Sequence, residues 1–322
     1  MKRFSEYSAM VEQAITDLKY PDGELSSLYE PIAYGMAAGG KRLRPSLMLM
    51  SCEAFGGEAE TAIEPACGIE LFHNFTLLHD DVMDNSPTRR NRPSVFAKWG
   101  ANAAILSGDT MLTLATQLIS RVPDDKLRSI LDIFNSMAIR VYEGQALDMQ
   151  FESQEDVSDE DYLRMIMDKT GALLGASAQI GALLGGASEE AAKEMYEFGM
   201  MLGIAFQIQD DWLDVYGDAS TFGKPIGGDI NNNKRTFLLL KGLHSESSDA
   251  TALKEAMGLP AGDMKVKVVR NIYDRLKLSE VGKKEISHYS SLALNALKRA
   301  GLAEEQKEAF KALVDKLIGR KK

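Results

Sequence analysis

The amino-acid sequence predicts an all-α fold, and three observations support that prediction. No proline occurs between Pro123 and Pro225, and the residues between them are rich in Ala, Leu, Met, Glu and Lys, which favour helices. Apolar residues recur at helical spacings of three and four in residues 1–18, 127–149 and 189–213. Alternating strand-like patterns are scarce, and the low aromatic content of 7% also argues against a β protein. We therefore expect roughly ten or more helices.

Turn-forming residues mark the ends of the predicted helices in order along the chain. Gly, Pro and Asn cluster at 21–23, 39–40, 85–87, 122–125, 185–188, 217–233 and 258–262. None of these segments is a long low-complexity linker, so residues 1–322 are predicted to form a single domain. The segment 171–175 is echoed at 181–185, but the echo does not recur, and close helix packing through small residues explains it better than a repeat.

Composition excludes several classes of protein. The 322 residues carry 37 Lys and Arg against 47 Asp and Glu, a net charge of −10, which disfavours nucleic acid as a main partner. Two cysteines, Cys52 and Cys67, exclude a disulfide framework. The first residues form no apolar leader, and the most apolar stretch, 171–186, is too short to span a membrane. We expect a cytoplasmic protein without stable membrane insertion.

Two aspartate clusters carry the strongest functional signal. Each places aspartate at i, i+1 and i+4 at the end of an apolar helical run: Asp80, Asp81, Asp84, Asp210, Asp211 and Asp214. Each cluster crowds one helix edge, and at ~6 Å with an effective dielectric of ~20 each carboxylate pair costs on the order of 3 kcal/mol. Mg²⁺ would offset that cost, because it binds carboxylates and completes its shell with water and substrate phosphates. The alternative, a solvated acidic edge, is disfavoured by the repetition, and we expect the clusters to face each other across a helical cavity.

Basic residues near the first cluster could bind the phosphates. Residues 39–45 form a compact turn with Lys41 and Arg44, whose glycines let the backbone approach an anion and whose arginines can fork onto phosphate oxygens. An exposed basic turn is the simpler interpretation when this segment is taken alone. Arg89 and Arg90 follow the first cluster, where a salt-bridge network with the aspartates is an equally good interpretation.

Other cations lie further along the chain. Lys224 and Lys234 flank a Gly- and Asn-rich loop directly after the second cluster, and such a loop could close over a substrate or simply be a solvated connector. Lys169 belongs to the proline-free helical stretch. His73 lies seven residues before Asp80, within about 20° of the same helix face, so it could contact an anion or be a core histidine.

Together these residues resemble the trans-polyprenyl diphosphate synthases, the family of farnesyl and geranylgeranyl diphosphate synthases. Order and spacing agree over most of the chain, at 39–45, 73, 80–90, 169–170, 207–214 and 223–234. Asn91 stands where the family usually has glycine, with little expected consequence because Asn tolerates left-handed backbone. The resemblance implies a bundle of mostly antiparallel helices around a deep central cavity, usually in a homodimer.

The resemblance also implies the head-to-tail condensation of an allylic diphosphate with isopentenyl diphosphate. Typically three Mg²⁺ ions on the allylic diphosphate would be held by Asp80, Asp81, Asp84, Asp210 and Asp214. The same diphosphate would be contacted by Arg89, Lys169, Lys224 and Lys234. The diphosphate of isopentenyl diphosphate would be bound by the Gly40 backbone, Lys41, Arg44, His73 and Arg90. Thr170 and Gln207 would turn side-chain oxygens toward the carbocation, and the departing diphosphate would accept the proton.

Product length in this family depends on residues just before the first cluster. Phe72, Phe75 and Thr76 lie roughly 12, 7.5 and 6 Å deeper along the helix than Asp80. A helix wheel places Thr76 nearer the aspartate face, so the blocking role of Phe75 comes from the resemblance alone. An aromatic residue at the fifth position without one at the fourth resembles producers of the 20-carbon geranylgeranyl diphosphate, with the 15-carbon farnesyl diphosphate as the next candidate.

Two other functions would use some of the same aspartates and basic residues. A class I terpene cyclase also needs an aspartate cluster and Mg²⁺, but it needs no second diphosphate site, so Lys41, Arg44 and Arg90 argue against it. A catalytically silent subunit of a heteromeric prenyl synthase would tend to lose aspartates or basic contacts, and none is missing here.

Overall fold

The computed structural model describes residues 1–154, 156–218 and 226–319, and these residues form an all-α protein. The helices are α1 Phe4–Asp17, α2 Ser26–Met36, α3 Leu43–Ala54, α4 Ile63–Met83, α5 Val95–Trp99, α6 Ala101–Ile119, α7 Asp124–Ser153, α8 Asp159–Ile166, α9 Ala172–Leu184, α10 Glu189–Tyr216, α11 Gly228–Asn231, α12 Phe237–Leu243, α13 Ser248–Met257, α14 Asp263–Arg275, α15 Leu278–Arg299 and α16 Glu304–Ile318. A 3-10 turn, Ala59–Ala62, precedes α4, and a π turn, Met167–Gly171, joins α8 to α9. Within the described ranges the β structure is one antiparallel hairpin, β1 Thr88–Arg89 and β2 Arg92–Pro93.

The predicted fold class is confirmed, and the three periodic runs are helices α1, α7 and α10. The chain divides into two compact units, residues 1–135 with 176–195 and residues 136–175 with 196–322. The prediction of a single domain over residues 1–322 stays a prediction. No helix in the described part of the chain combines the length and the apolar character needed to cross a membrane.

The first unit is organised around α4. This helix is buried on several sides, from Pro65 through Phe75, as expected for a helix that is apolar around most of its circumference. Helix α6 packs closely along α4, and α3 packs on α9. A Cβ on Gly181 or Gly185 would lie 2.2 Å from a carbonyl oxygen of α3, so these glycines permit the close helix packing that the echoed segment predicts.

Contacts within the second unit hold α10 at several points along its length. Phe198 packs edge-to-face on Phe310 of α16, with ring centroids 5.4 Å apart. The Gln209 side chain donates a hydrogen bond to the Ile318 carbonyl at 2.7 Å, and the Trp212 indole donates to the Ser279 carbonyl of α15 at 3.3 Å. These contacts hold the helix turn that carries the second aspartate cluster.

Candidate active site

The first aspartate cluster occupies the last turn of α4 and is not uniform. Asp81 is buried, with 2% exposure, whereas Asp80 is half-buried and Asp84 is exposed. Burial raises the pKa of the Asp81 carboxyl, and hydrogen bonds from Arg89 oppose that shift. Both Nε and Nη2 of Arg89 lie 2.8 Å from Asp81 Oδ1. The salt-bridge interpretation of the sequence therefore describes Arg89 in this structure.

The hairpin after α4 directs Arg90 away from the aspartates. Arg90 and Asn91 occupy the two-residue turn with φ of 52° and 60°, the left-handed values that such a turn requires. Asn91 adopts this backbone easily, while Arg90 bears a cost of roughly 1–2 kcal/mol. The Arg90 guanidinium donates to the Gly39 carbonyl and covers Gly40, where a Cβ would lie 3.0 Å from both terminal nitrogens. Glycine at position 40 makes room for this guanidinium.

His73 and Arg44, which the resemblance assigns to the same diphosphate, are neighbours. Arg44 Nη1 lies 3.1 Å from His73 Nε2, and because a guanidinium only donates, this imidazole nitrogen accepts. Burial lowers the pKa of His73 well below its ordinary value, and the charges of Arg44 and Arg90 lower it further. His73 is therefore neutral at neutral pH, with its proton on Nδ1. Lys41 is exposed beside them.

The second cluster surrounds a fully hydrogen-bonded aspartate. Asp211 Oδ2 accepts from the Tyr162 hydroxyl at 2.6 Å and from the Phe237 amide at 2.9 Å, while Oδ1 accepts from Gln207 Nε2 at 3.1 Å. Burial raises the pKa of Asp211 to about 7, with a further rise from Asp229. Both oxygens of this carboxylate are thus committed to protein donors.

The other two aspartates of this cluster differ from Asp211. Asp214 is 5% exposed, and its Oδ2 accepts from the Asp229 amide at 3.1 Å. Its carbonyl accepts from the Gly227 amide at 2.7 Å, so this residue ties α10 to the segment that follows. Asp210 is half-buried. Lys234 is exposed at the end of that segment, while Lys224, which the sequence assigns to the same role, lies outside the described residues.

Lys169 lies in the π turn between α8 and α9. Its Nζ is 2.5 Å from Asp148 Oδ2 of α7, and both side chains are about one-third exposed or less. A Cβ on Gly144 would lie 2.3 Å from the Lys169 amide nitrogen, so only glycine lets α7 approach this turn. Next to it, the Thr170 hydroxyl donates to Gln207 Oε1 at 3.1 Å. The two residues predicted to face the carbocation are therefore in contact.

The three residues predicted to limit product length have different environments. Phe72 is fully buried and packs edge-to-face on Phe75 and on Phe134, with centroids 5.5 and 5.4 Å apart. Phe75 also packs on the His79 ring at 4.8 Å. The Thr76 hydroxyl donates to the His73 carbonyl at 2.8 Å. The two phenylalanines supply bulk at this depth of α4, and Thr76 adds little.

Sequence reasoning missed Asp148 and Tyr162. The local sequence offers one signal for Asp148, which is its position four residues after Gly144 in a helical run. Tyr162 lies 49 residues from Asp211, and no local pattern connects them.

Comparisons with known proteins identify the family of this chain. The Polyprenyl synthetase family model matches residues 25–276. A geranylgeranyl diphosphate synthase of Sulfolobus acidocaldarius is 41% identical over 249 residues, 76% of each chain, and that of Methanosarcina mazei is 40% identical over 235 residues, 72% of each. A crystal structure of a geranylgeranyl pyrophosphate synthase is 38% identical, covers 100% of both chains and has a TM-score of 0.95. This chain therefore belongs to the polyprenyl synthetase family.

Proposed function

We propose that this chain is a short-chain trans-prenyltransferase. It condenses isopentenyl diphosphate head-to-tail with dimethylallyl, geranyl and farnesyl diphosphates, and geranylgeranyl diphosphate is its main product. The observation that supports the proposal is that α4 is associated with two chemically different groups. One is the contact between neutral His73 and the Arg44 cation, and the other is the acidic cluster that begins at Asp80, seven residues later and about 10 Å along the helix. A cyclase with one diphosphate substrate would not need the first of these.

Mg²⁺ is the metal that polyprenyl synthetases use in general, and the donor set here fits it. Asp80, Asp84 and Asp210 offer hard carboxylate oxygens at accessible positions. Mg²⁺ keeps waters and takes substrate phosphates as ligands, so it needs few protein oxygens. We assign three ions to the allylic diphosphate.

The six aspartates divide into ligands and anchors in this proposal. Asp80, Asp84 and Asp210 bind the ions directly, while Asp81 and Asp211 are held by protein donors and fix the helix turns that carry the ligands. Asp214, predicted as a further ligand, already accepts a backbone hydrogen bond and also positions the segment after α10.

The protein side chains supply binding, orientation and exclusion of water. When bound, Mg²⁺ stabilises the negative charge that develops on the leaving diphosphate. Lys169 and Lys234 bind oxygens of the same diphosphate, and their positive charge favours breaking of the allylic C–O bond. The oxygens of Thr170 and Gln207 face the resulting carbocation. The alkene of isopentenyl diphosphate then attacks, and the departing diphosphate removes the proton.

The proposed enzyme acts as a homodimer. In the first unit, α6 exposes Ile105 and Leu106 by 43% and 58%. In the second unit, α7 exposes Ile139, Tyr142 and Met149 on one helix face. Exposed apolar patches of this kind mark association surfaces. Light scattering of the purified protein should give a mass twice the 35.4 kDa of one chain.

A product assay tests the proposed activity. Purified protein is incubated with Mg²⁺, isopentenyl diphosphate and each allylic diphosphate in turn, and the dephosphorylated products are separated by chain length. We expect accumulation at 20 carbons. A stop at 15 carbons would mean that Phe72 or a neighbouring helix closes the cavity earlier. Absence of elongation from every primer would refute the proposal in favour of a silent subunit, and products formed without isopentenyl diphosphate would favour a cyclase.

A further inference from the structure

Arg42 lies in the basic turn but does not face the same way as its neighbours. Its side chain is 3% exposed, whereas Lys41 is exposed and Arg44 is half-buried. Its backbone is left-handed, with φ of 47°, immediately before the first turn of α3. A buried arginine inside a run of phosphate-binding candidates needs a separate explanation, because its guanidinium is not accessible to an anion.

The Arg42 guanidinium joins three other elements of the first unit. Its Nε donates to Glu12 Oε2 of α1 at 2.6 Å, and its Nη1 donates to Glu70 Oε1 of α4 at 2.7 Å. Its Nη2 donates to the Met36 carbonyl at the end of α2 at 2.8 Å. Asn74 Nδ2 also donates to Glu70 Oε1, at 3.2 Å, which fixes that carboxylate. All three nitrogens of the guanidinium are therefore committed to the protein.

This ion pair stabilises an otherwise unfavourable backbone. Residues 39, 40 and 42 all have positive φ, and only the first two are glycines. A left-handed arginine persists where its surroundings fix it from several sides. The three hydrogen bonds of Arg42 provide that constraint, and they set the direction in which the turn enters α3. Arg44 lies within the first turn of that helix, two residues later.

Glu12 and Glu70 also make Arg42 electrostatically different from the other cations of the turn. Burial alone would lower the pKa of Arg42, but the hydrogen bonds and charges of Glu12 and Glu70 outweigh it and raise that pKa. Arg42 is therefore a charged group that is neutralised inside the protein. Of its neighbours in the turn, Lys41 is exposed and Arg44 is half-buried.

We propose that Arg42 is a positioning residue for isopentenyl diphosphate. Its ion pairs with half-exposed Glu12 and buried Glu70 hold the 39–44 turn in the shape that presents Lys41 and Arg44 to the diphosphate. The inference rests on the proposed prenyltransferase activity. In this proposal Arg42 does not contact substrate, whereas Lys41 and Arg44 on either side of it do.

Steady-state kinetics of the full-length Arg42→Met variant test this role. We expect the KM for isopentenyl diphosphate to rise about tenfold or more, while the KM for the allylic diphosphate changes less than about twofold. Val11→Ala is the matched control, because it removes buried volume from α1 beside Glu12 without touching the ion pair. It should lower the unfolding temperature but leave the ratio of the two KM values unchanged.

A second variant separates positioning from stability. Arg42→Met alone leaves the Glu70 carboxylate buried without its cation, and adding Glu70→Gln removes that charge. The double variant should regain much of the lost unfolding temperature and keep the high KM for isopentenyl diphosphate. Recovery of both quantities, or an unchanged KM ratio in Arg42→Met, would overturn the inference. Lack of turnover by the wild-type protein would instead refute the proposed function.

Discussion

The close approach of α7 to the π turn at Gly144 gives a quantitative test of the site. A Cβ at position 144 would lie 2.3 Å from the Lys169 amide nitrogen and 2.8 Å from its Cα. Ordinary van der Waals contact begins at 3.4 Å, so 3.4 − 2.3 = 1.1 Å of separation is missing. Both partners are backbone atoms, so Gly144→Ala must move the helix and the turn apart by about 1 Å.

That displacement should reach Lys169, which the proposed function assigns to the allylic diphosphate. A misplacement of about 1 Å in a positioned group costs up to ~10²-fold in rate, which corresponds to about 2.7 kcal/mol in the activation free energy. We expect kcat/KM for the allylic diphosphate to fall by about this factor in Gly144→Ala, measured with saturating isopentenyl diphosphate. Gly258→Ala is the matched control in the same unit, because its Cβ would lie 3.3 Å from one carbonyl oxygen.

A double-mutant cycle shows whether the effect passes through Lys169. If it does, Gly144→Ala should cause little further loss in a Lys169→Met background, since the positioned group is already absent. Circular dichroism and the unfolding temperature establish that each variant is folded. A wild-type kcat/KM in Gly144→Ala, or losses that multiply in the double variant, would refute the reasoning.

Three further predictions follow from buried groups. Phe75→Ala should shift the longest product beyond 20 carbons, read by chromatography, because it removes the ring that packs on Phe72 and on His79. Burial raises the pKa of the Cys67 thiol to about 12, so iodoacetamide should label it only after unfolding, and the stability that its protonated form contributes should be lost as pH rises from its ordinary pKa toward 12. Tyr162→Phe removes a buried 2.6 Å hydrogen bond to Asp211 and should lower the free energy of unfolding in urea by about 1.5–3 kcal/mol.

The fold and the positions of the motifs were predictable because they depend on local patterns. The absence of proline and the spacing of apolar residues are sufficient to indicate α7 and α10. The left-handed backbone at Asn91 is likewise a local property, which the tolerance of Asn for that conformation predicts.

The partners of individual side chains were not predictable, because they depend on distant parts of the chain. Lys169 pairs with Asp148, and Arg42 pairs with Glu70 over 28 residues, yet neither carboxylate belongs to a motif. The π turn at Lys169 was also hidden, because its sequence has the same helix-forming character as its flanks. These pairs form only when the chain folds. The periodicity of apolar residues in one sequence does not indicate which charged residues become neighbours.

The second aspartate of each cluster is buried and accepts hydrogen bonds from protein donors. At 100° per residue, the i+1 carboxylate points away from the edge shared by i and i+4. In α4 it turns inward to Arg89, and in α10 it turns inward to the Tyr162 hydroxyl and a backbone amide. Protein donors therefore reduce the repulsion among the carboxylates at Asp81 in the first cluster and at both Asp211 and Asp214 in the second. In the proposed function, the acidic motif is therefore partly a structural anchor and partly a ligand set.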